Sequence, residues 1–221
     1  MARRKILLAG ESWVSSATHV KGFDQFQSVT YHTGADPLIA ALKGLGYDVT
    51  FMPSHEAQRD FPQTVEAISA YDAVILSDIG ANTLLLHPET WLLSKRTPNR
   101  LKALEKWVSE GGALLMFGGY YSFQGINGAA RYRGTAVEAV LPVTCHSYDD
   151  RIEVPEGFTP VVTGASSHPI LAGLPAEWPP LLGFNEVAVK DDAEVLATVS
   201  TEYGSLPIIA TRRHGKGRSV V

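Results

Sequence analysis

The sequence predicts an α/β protein built on a mostly parallel sheet, with a β-rich extension toward its C-terminal end. Three observations carry that prediction. Short apolar runs ending in glycine or small polar residues alternate with helix-length segments up to about residue 140, the pattern of parallel strands buried on both faces. Beyond that point prolines multiply, at positions 142, 155, 160, 169, 175, 179 and 180, and the remaining runs are short and β-like. No flexible linker, repeat or low-complexity tract separates the two textures. The 221 residues therefore read as a single domain, with an α/β part at about 1–140 and a β-rich extension at about 141–221.

The elements follow in order. Lys5-Ile-Leu-Leu-Ala-Gly10 is a buried first strand, ended by Glu11. A long segment without periodicity comes next, crowded with Trp13, His19, Lys21, Phe23 and Asp24. It reads as a loop that either serves function, since long loops inside compact domains are often functional, or wraps a neighbouring subunit or covers the sheet edge. Asp36 caps a helix with Pro37 at its first position, and Leu38, Ile39, Leu42 and Leu45 form its apolar face before Gly46. Tyr47–Met52 is the second strand, Pro62–Ala70 a short helix and Tyr71–Ser77 the third strand. Leu101, Leu104, Trp107 and Val108 recur at helical spacing from Pro98 to Glu110, and Ala113–Phe117 is a fourth strand running into Gly118-Gly119. In the extension, strands are expected at Arg151–Val154, Glu186–Lys190, Glu194–Thr198, Leu206–Thr211 and Ser219–Val221, the last two flanking a hairpin turn at Gly215.

Composition excludes several function classes. One cysteine cannot form an internal disulfide or a Cys-based zinc site, which fits a reducing compartment. Nineteen basic against 23 acidic residues leave a net charge of −4, so nothing draws the chain toward nucleic acid or an anionic membrane. The apolar run of the N-terminus ends at Glu11, too early for a signal peptide, and no stretch reaches the ~18–20 apolar residues of a membrane span. A cytoplasmic protein is expected. The histidines at 19, 32, 55, 87, 146, 168 and 214 make no metal-ligand pair, and neither a phosphate loop nor Gly-x-Gly-x-x-Gly after a strand is present, so neither metal nor cofactor is expected.

Ligands of open parallel sheets bind at the carboxyl ends of the strands. Three segments qualify: Gly10-Glu11-Ser12-Trp13, Asp78-Ile-Gly-Ala-Asn82 and Gly118-Gly-Tyr-Tyr-Ser-Phe-Gln-Gly125. Paired glycines after a strand are how a nucleophile elbow is built. The elbow position falls on Tyr120, with Ser122 two residues on, and no Gly-x-Ser-x-Gly or Gly-x-Cys-x-Gly is present. Tyrosine, with an ordinary pKa near 10, is a poor nucleophile unless a base or cation activates it. Tyr120 and Tyr121 thus either pack the turn and shape a pocket or carry altered chemistry. Cys145 and His146 are adjacent, so in an extended segment they face opposite ways and cannot act as a pair. Arg212-Arg-His-Gly-Lys-Gly-Arg218 reads as a solvated hairpin tip.

Lys5–Trp13, His19 with Lys21-Gly-Phe-Asp24, Gly118–Gly125, Arg131-Tyr132, Thr135 with Val137-Glu138, Val140-Leu-Pro-Val143, Tyr148-Asp-Asp-Arg151, His168-Pro-Ile170 and Gly215-Lys-Gly-Arg218 together resemble the uncharacterised bacterial "putative glutamine amidotransferase" family of the class I glutamine amidotransferase-like superfamily. The resemblance spans nearly the whole chain and implies a flavodoxin-like three-layer sandwich. Class I amidotransferases carry a cysteine at the elbow and a histidine and glutamate near the chain's end; here Tyr120 stands at the elbow and no His-x-Glu follows Gly217. The resemblance therefore implies the fold without the glutaminase chemistry. The second arm of the hairpin around Gly215 has barely begun at Val221, so the natural chain is expected to continue with a tail that completes this strand and adds a helix; the resemblance implies that this tail carries a Cys-Ala-Pro-His-like segment.

Two functions are compatible with these residues. One is a domain that binds a small molecule or a partner subunit at the strand ends through Glu11, Ser12, His19, Asp78, Asn82, Gly119, Tyr120 and Tyr121. The other is a hydrolase or transferase in which Tyr120 or Ser122 is activated by Glu11 or a histidine. A homo-oligomer is expected in either case, and a third reading makes the segment after the first strand its interface.

Overall fold

The computed structural model describes residues 3–163, 168–175, 178–202 and 204–221. The chain runs β1 (Lys5–Gly10), β2 (Ser12–Lys21), β3 (Asp24–Thr33), α1 (Asp36–Gly44), β4 (Asp48–Met52), α2 (Ser54–Asp60), α3 (Val65–Ile68), β5 (Ala73–Ser77), α4 (Ala81–Leu85), α5 (Pro88–Leu93), α6 (Arg100–Glu110) and β6 (Ala113–Phe117). After a 3-10 turn at Ile126–Gly128 come α7 (Ala136–Val140), β7 (Val143–Cys145), β8 (Arg151–Phe158), β9 (Val161–Val162), β10 (Leu181–Asn185), β11 (Val187–Val189), β12 (Glu194–Thr201), β13 (Gly204–His214) and β14 (Gly217–Val220).

An eight-stranded sheet in the order β4-β1-β5-β6-β14-β13-β12-β9 organises the molecule. Every pairing from β4 to β14 is parallel, and every pairing from β14 to β9 is antiparallel. The mixed α/β class with a mostly parallel sheet is thus the architecture observed. β14 lies between β6 and β13 and is paired on both sides, not left with an open edge.

The apolar runs become inner strands because both of their faces are covered. Leu7 and Ala9 of β1 join Val74 and Leu76 of β5 and Leu114 and Met116 of β6 in one core beneath α6 and α7. The intervening Ile6, Leu8 and Ile75 face the opposite way into a second core against α1. Alternation of side chains along each strand, with both parities apolar, produces these two cores. α6 buries Leu101, Leu104, Trp107 and Val108, and Asn99 caps it by accepting from the Leu101 and Lys102 N–H groups. α1 starts as expected with proline in its first turn, but Ala35 holds the cap position and Asp36 is the first helical residue.

The stretch read as a loop after the first strand is instead a long hairpin. β2 and β3 pair antiparallel from Ser12↔Thr33 to Lys21↔Asp24 and form a separate two-stranded sheet. Its faces carry Ser, Thr and Ala mixed with exposed Val and aromatics, so neither face shows the apolar alternation by which a half-buried strand is recognised.

Candidate functional site

β1, β5 and β6 end side by side along one edge of the sheet. The chain goes from β1 to β4 on one flank and adds β5 on the other, so the winding reverses between β1 and β5, where open α/β sheets bind ligands. The residue after each of these two strands is acidic and lies in the left-handed region: Glu11 at φ 46° and Asp78 at φ 47°. Such backbone is uncommon outside glycine and costs of order 1–3 kcal/mol, so its surroundings must hold it.

They do so at both positions. The Glu11 N–H donates to the Ser77 carbonyl at 2.8 Å, and the Glu11 carbonyl accepts from the Gly34 N–H at 3.0 Å. Across the same junction the buried Ser77 hydroxyl donates to Glu11 Oε1 at 2.5 Å. Gly10 permits this approach, since a Cβ there would collide with the Ser77 carbonyl. Asp78 Oδ1 accepts from the Tyr121 N–H at 2.7 Å and ties the end of β5 to the turn after β6.

That turn is fixed from below by the extension. Asn185, at the end of β10, accepts from the Gly119 N–H at 2.9 Å and donates to the Gly119 carbonyl at 3.2 Å. Its amide also donates to Asp150 Oδ1 at 2.8 Å. Asp150, fully buried, accepts from the Gln124 and Gly125 N–H groups at 2.8 and 2.9 Å. Gly125, at φ 68°, lets the turn close on the Tyr120 carbonyl. Neighbouring Asp149 accepts from the Asn127 N–H at 2.7 Å and from Arg151 through a two-pronged contact at 3.0 and 2.9 Å. The Arg151 hydrogen bonds hold the Asp149 carboxyl well below the usual carboxylate range.

The Gly118–Gly125 turn departs from an elbow in two ways. No strand-to-helix turn follows β6, because the next regular element is the 3-10 turn at Ile126–Gly128. The left-handed residue is Phe123, at φ 52° and buried, whereas Tyr120 lies outside that region. Tyr120 is 53% exposed, and the Arg151 guanidinium sits 4.6 Å from the centre of its ring, over the face. Among the described residues its hydroxyl has no hydrogen bond. Tyr121 is exposed and Ser122 is buried.

The other expected ligands divide. Glu11, Asp78, Gly119, Tyr120 and Tyr121 come together at the strand ends. Ser12 is buried at the hairpin base, where its hydroxyl accepts from the Ser54 N–H at 2.8 Å. Asn82 lies exposed in the first turn of α4. His19 stands far out on the hairpin, stacked on Phe26 and 2.9 Å from Ser28 Oγ, away from the strand-end cluster because β2 carries it outward. Cys145 is buried on β7, and burial pushes its thiol well above the ordinary value, so it is not poised as a thiolate.

A cavity of about 760 Å³ opens beside the turn. It is lined by Leu115 and Phe117 of β6, Pro207 and Ile209 of β13, Ile152 of β8 and Phe184 of β10, together with Gly118, Gly119, Tyr120 and Arg151. Among the described residues no group of three or more His, Cys, Asp or Glu could hold a metal ion, and no helix is long and apolar enough to cross a membrane.

Fold and site together define an α/β domain with a mostly parallel sheet, whose turn after β6 is held by Asn185 and Asp150. The chain belongs to the family described as "Putative glutamine amidotransferase", which matches residues 5–221. It is similar to two solved Salmonella typhimurium structures. "Cytoplasmic Protein STM3548" is 38% identical with a TM-score of 0.91, the match covering 97% of this chain and 85% of that one. "Cytoplasmic Protein STM1381" from strain LT2 is 42% identical with a TM-score of 0.90, covering 98% and 86%. The fold also recurs in a cold-adapted β-galactosidase from Rahnella sp. R3, at 14% identity and a TM-score of 0.51, over 81% of this chain and 22% of that one. Among curated proteins none matches the sequence.

Proposed function

We propose that this protein is an amidotransferase-like binding domain without glutaminase activity, which holds a small molecule at the carboxyl ends of β1, β5 and β6. The observation that carries the reading is the turn after β6. Its exposed side chains are Tyr120 and Tyr121; Arg151 lies over the Tyr120 ring, among the described residues the Tyr120 hydroxyl has no hydrogen bond, and the single thiol is buried on β7. The same turn is held by several hydrogen bonds to buried polar groups, the expected construction for a preorganised binding surface. Glu11, Asp78, Gly119, Tyr120 and Tyr121 would contact the ligand, with Ser77, Asp150 and Asn185 positioning them. An apolar part of the ligand would enter the cavity past Gly118.

The parallel strands, numbered by chain order alone, run 2-1-3-4-5, which supports reading the fold as flavodoxin-like and three-layered. The names of the Salmonella relatives support a cytoplasmic location. The test is incubation with glutamine and, separately, with an electrophilic glutamine analogue, read by ammonia release and intact mass. No ammonia and an unmodified chain are expected. Turnover, or a covalent adduct on Tyr120, Ser122 or Cys145, would refute the proposal and favour altered chemistry.

A further inference from the structure

The β2–β3 arm takes no part in that site. Ten residues per strand make it about 34 Å long, and it meets α2 at its base, where Ser12 bonds to Ser54 and Tyr31 packs on His55. β2 and β3 pair only with each other, so the outer edge of each strand is open among the described residues. Trp13, Val14, Val20, Phe23, Phe26, Val29 and Tyr31 are all exposed, Phe23 completely. From Ser12 to Thr33 the only charged residues are Lys21 and Asp24, both at the tip. An isolated two-stranded ribbon is marginally stable in water, and open edges are ordinarily blunted by charge or proline. This edge carries neither along its length.

We propose that β2 pairs antiparallel with β2 of a second copy, across a twofold axis at Ala17, to make a four-stranded sheet. The register follows from the hairpin itself. Lys21 and Asp24 flank the two-residue turn, so odd positions of β2 direct their backbone groups toward β3 and even positions direct theirs outward. With the axis at Ala17, the outward positions 14, 16, 18 and 20 meet positions 20, 18, 16 and 14 of the second copy, forming about eight hydrogen bonds.

Side chains match in the same register. Val14 falls opposite the partner's Val20 and Ser16 opposite the partner's Thr18 on one face. On the other, Ser15 meets the partner's His19, and Lys21, the arm's one cation, lies over the partner's Trp13. No like charges oppose. Moving the axis by one residue separates the valines. The same pairing carries Phe23 to the base of the partner's arm, giving the fully exposed tip a surface to cover. This self-complementarity identifies the occupant as a second copy of the chain.

Light scattering of the wild type should report twice the 23.9 kDa of the chain. Ala17→Cys, oxidised and run without reductant, should give a disulfide-linked dimer, because residues opposite in a non-hydrogen-bonded pair lie about 4.5 Å apart at Cα. Val14→Asp with Val20→Asp, both at exposed positions, should give a monomer that keeps the wild-type helical circular dichroism signal, with a melting temperature no longer dependent on protein concentration. A monomeric wild type would overturn the proposal and assign the arm to a different partner. A dimer that survives the double substitution would overturn it as well, as would cross-linking through Gln27→Cys on β3 but not through Ala17→Cys.

Discussion

Replacing Asp150 with alanine tests whether the extension holds the turn after β6. The carboxylate is fully buried and accepts three hydrogen bonds, from the Gln124 N–H, the Gly125 N–H and the Asn185 amide. Hydrogen bonds to charged groups contribute about 1.5–3 kcal/mol each. Three at the lower end, with water entering to rescue some donors, give an expected loss of about 4 kcal/mol. Asp150→Asn keeps the shape but turns one oxygen into an NH₂ group that faces other donors, for a loss of about 2 kcal/mol. With a urea m-value of about 2 kcal/mol/M, the midpoint should fall by about 2 M for alanine and about 1 M for asparagine. Limited proteolysis should cut both variants within 118–127 before the rest of the chain unfolds. Were Asp150→Ala to cost less than about 1 kcal/mol and leave this segment resistant, the turn would owe its shape to its own backbone and Asp150 would not be its anchor.

Three further predictions concern other groups. Arg100 is buried, and its guanidinium donates to the carbonyls of Ala57, Gln58 and Thr83, so Arg100→Ala should lower stability by about 3–5 kcal/mol in urea unfolding, through the cavity and the orphaned acceptors. Asp149 has a folded pKa depressed by Arg151; its contribution is complete above the ordinary carboxylate pKa and is lost as pH falls toward the folded value. Asp149→Asn should therefore lower the melting temperature at pH 7 and weaken its decline below about pH 4. Finally, the Cys145 thiol should resist iodoacetamide in the native protein at pH 8 and react on unfolding, whereas rapid native alkylation would show that its burial is not maintained.

Much of the α/β part was legible because its signals are local. Ala113–Phe117 is a strand to the residue, since an apolar run bracketed by glycine pairs has no other low-energy use in a core. Gly215 marks the β13–β14 turn for the same kind of reason, being a left-handed position that only glycine takes freely. The arm was not legible: hydrophobic periodicity records burial against the chain's own core, and β2 and β3 have no such core beneath them. α5 went unread as well, because its Trp91, Leu92 and Leu93 are exposed in sequence order and not spaced for one buried face.

The site divides along the same line. Glu11, Asp78, Gly119, Tyr120 and Tyr121 could be placed at the strand ends in advance, because those ends are set by the order of apolar runs, whereas Ser12, His19 and Asn82, named with them, stand elsewhere. Ser77, Asp150 and Asn185 could not. Ser77 is the last residue of an apolar strand and carries no mark of pairing with Glu11, 66 residues earlier. Asn185 meets Gly119 across the same separation, through a two-stranded sheet whose register depends on how the extension packs. Asp150 was visible within Tyr148-Asp-Asp-Arg151, yet nothing in that string distinguishes the buried carboxylate from the half-exposed one beside it.

The mixed α/β class and the parallel strand segments were settled by residue order, because they depend on neighbours a few positions apart. Tertiary structure alone decided that Phe123 and not Tyr120 takes the left-handed backbone, that Arg151 covers the Tyr120 ring, and that the segment after β1 leaves the body as a paired ribbon. Each of these depends on which distant groups arrive beside a given backbone atom. That arrival is governed by the closing of the whole sheet, which short-range preference does not encode.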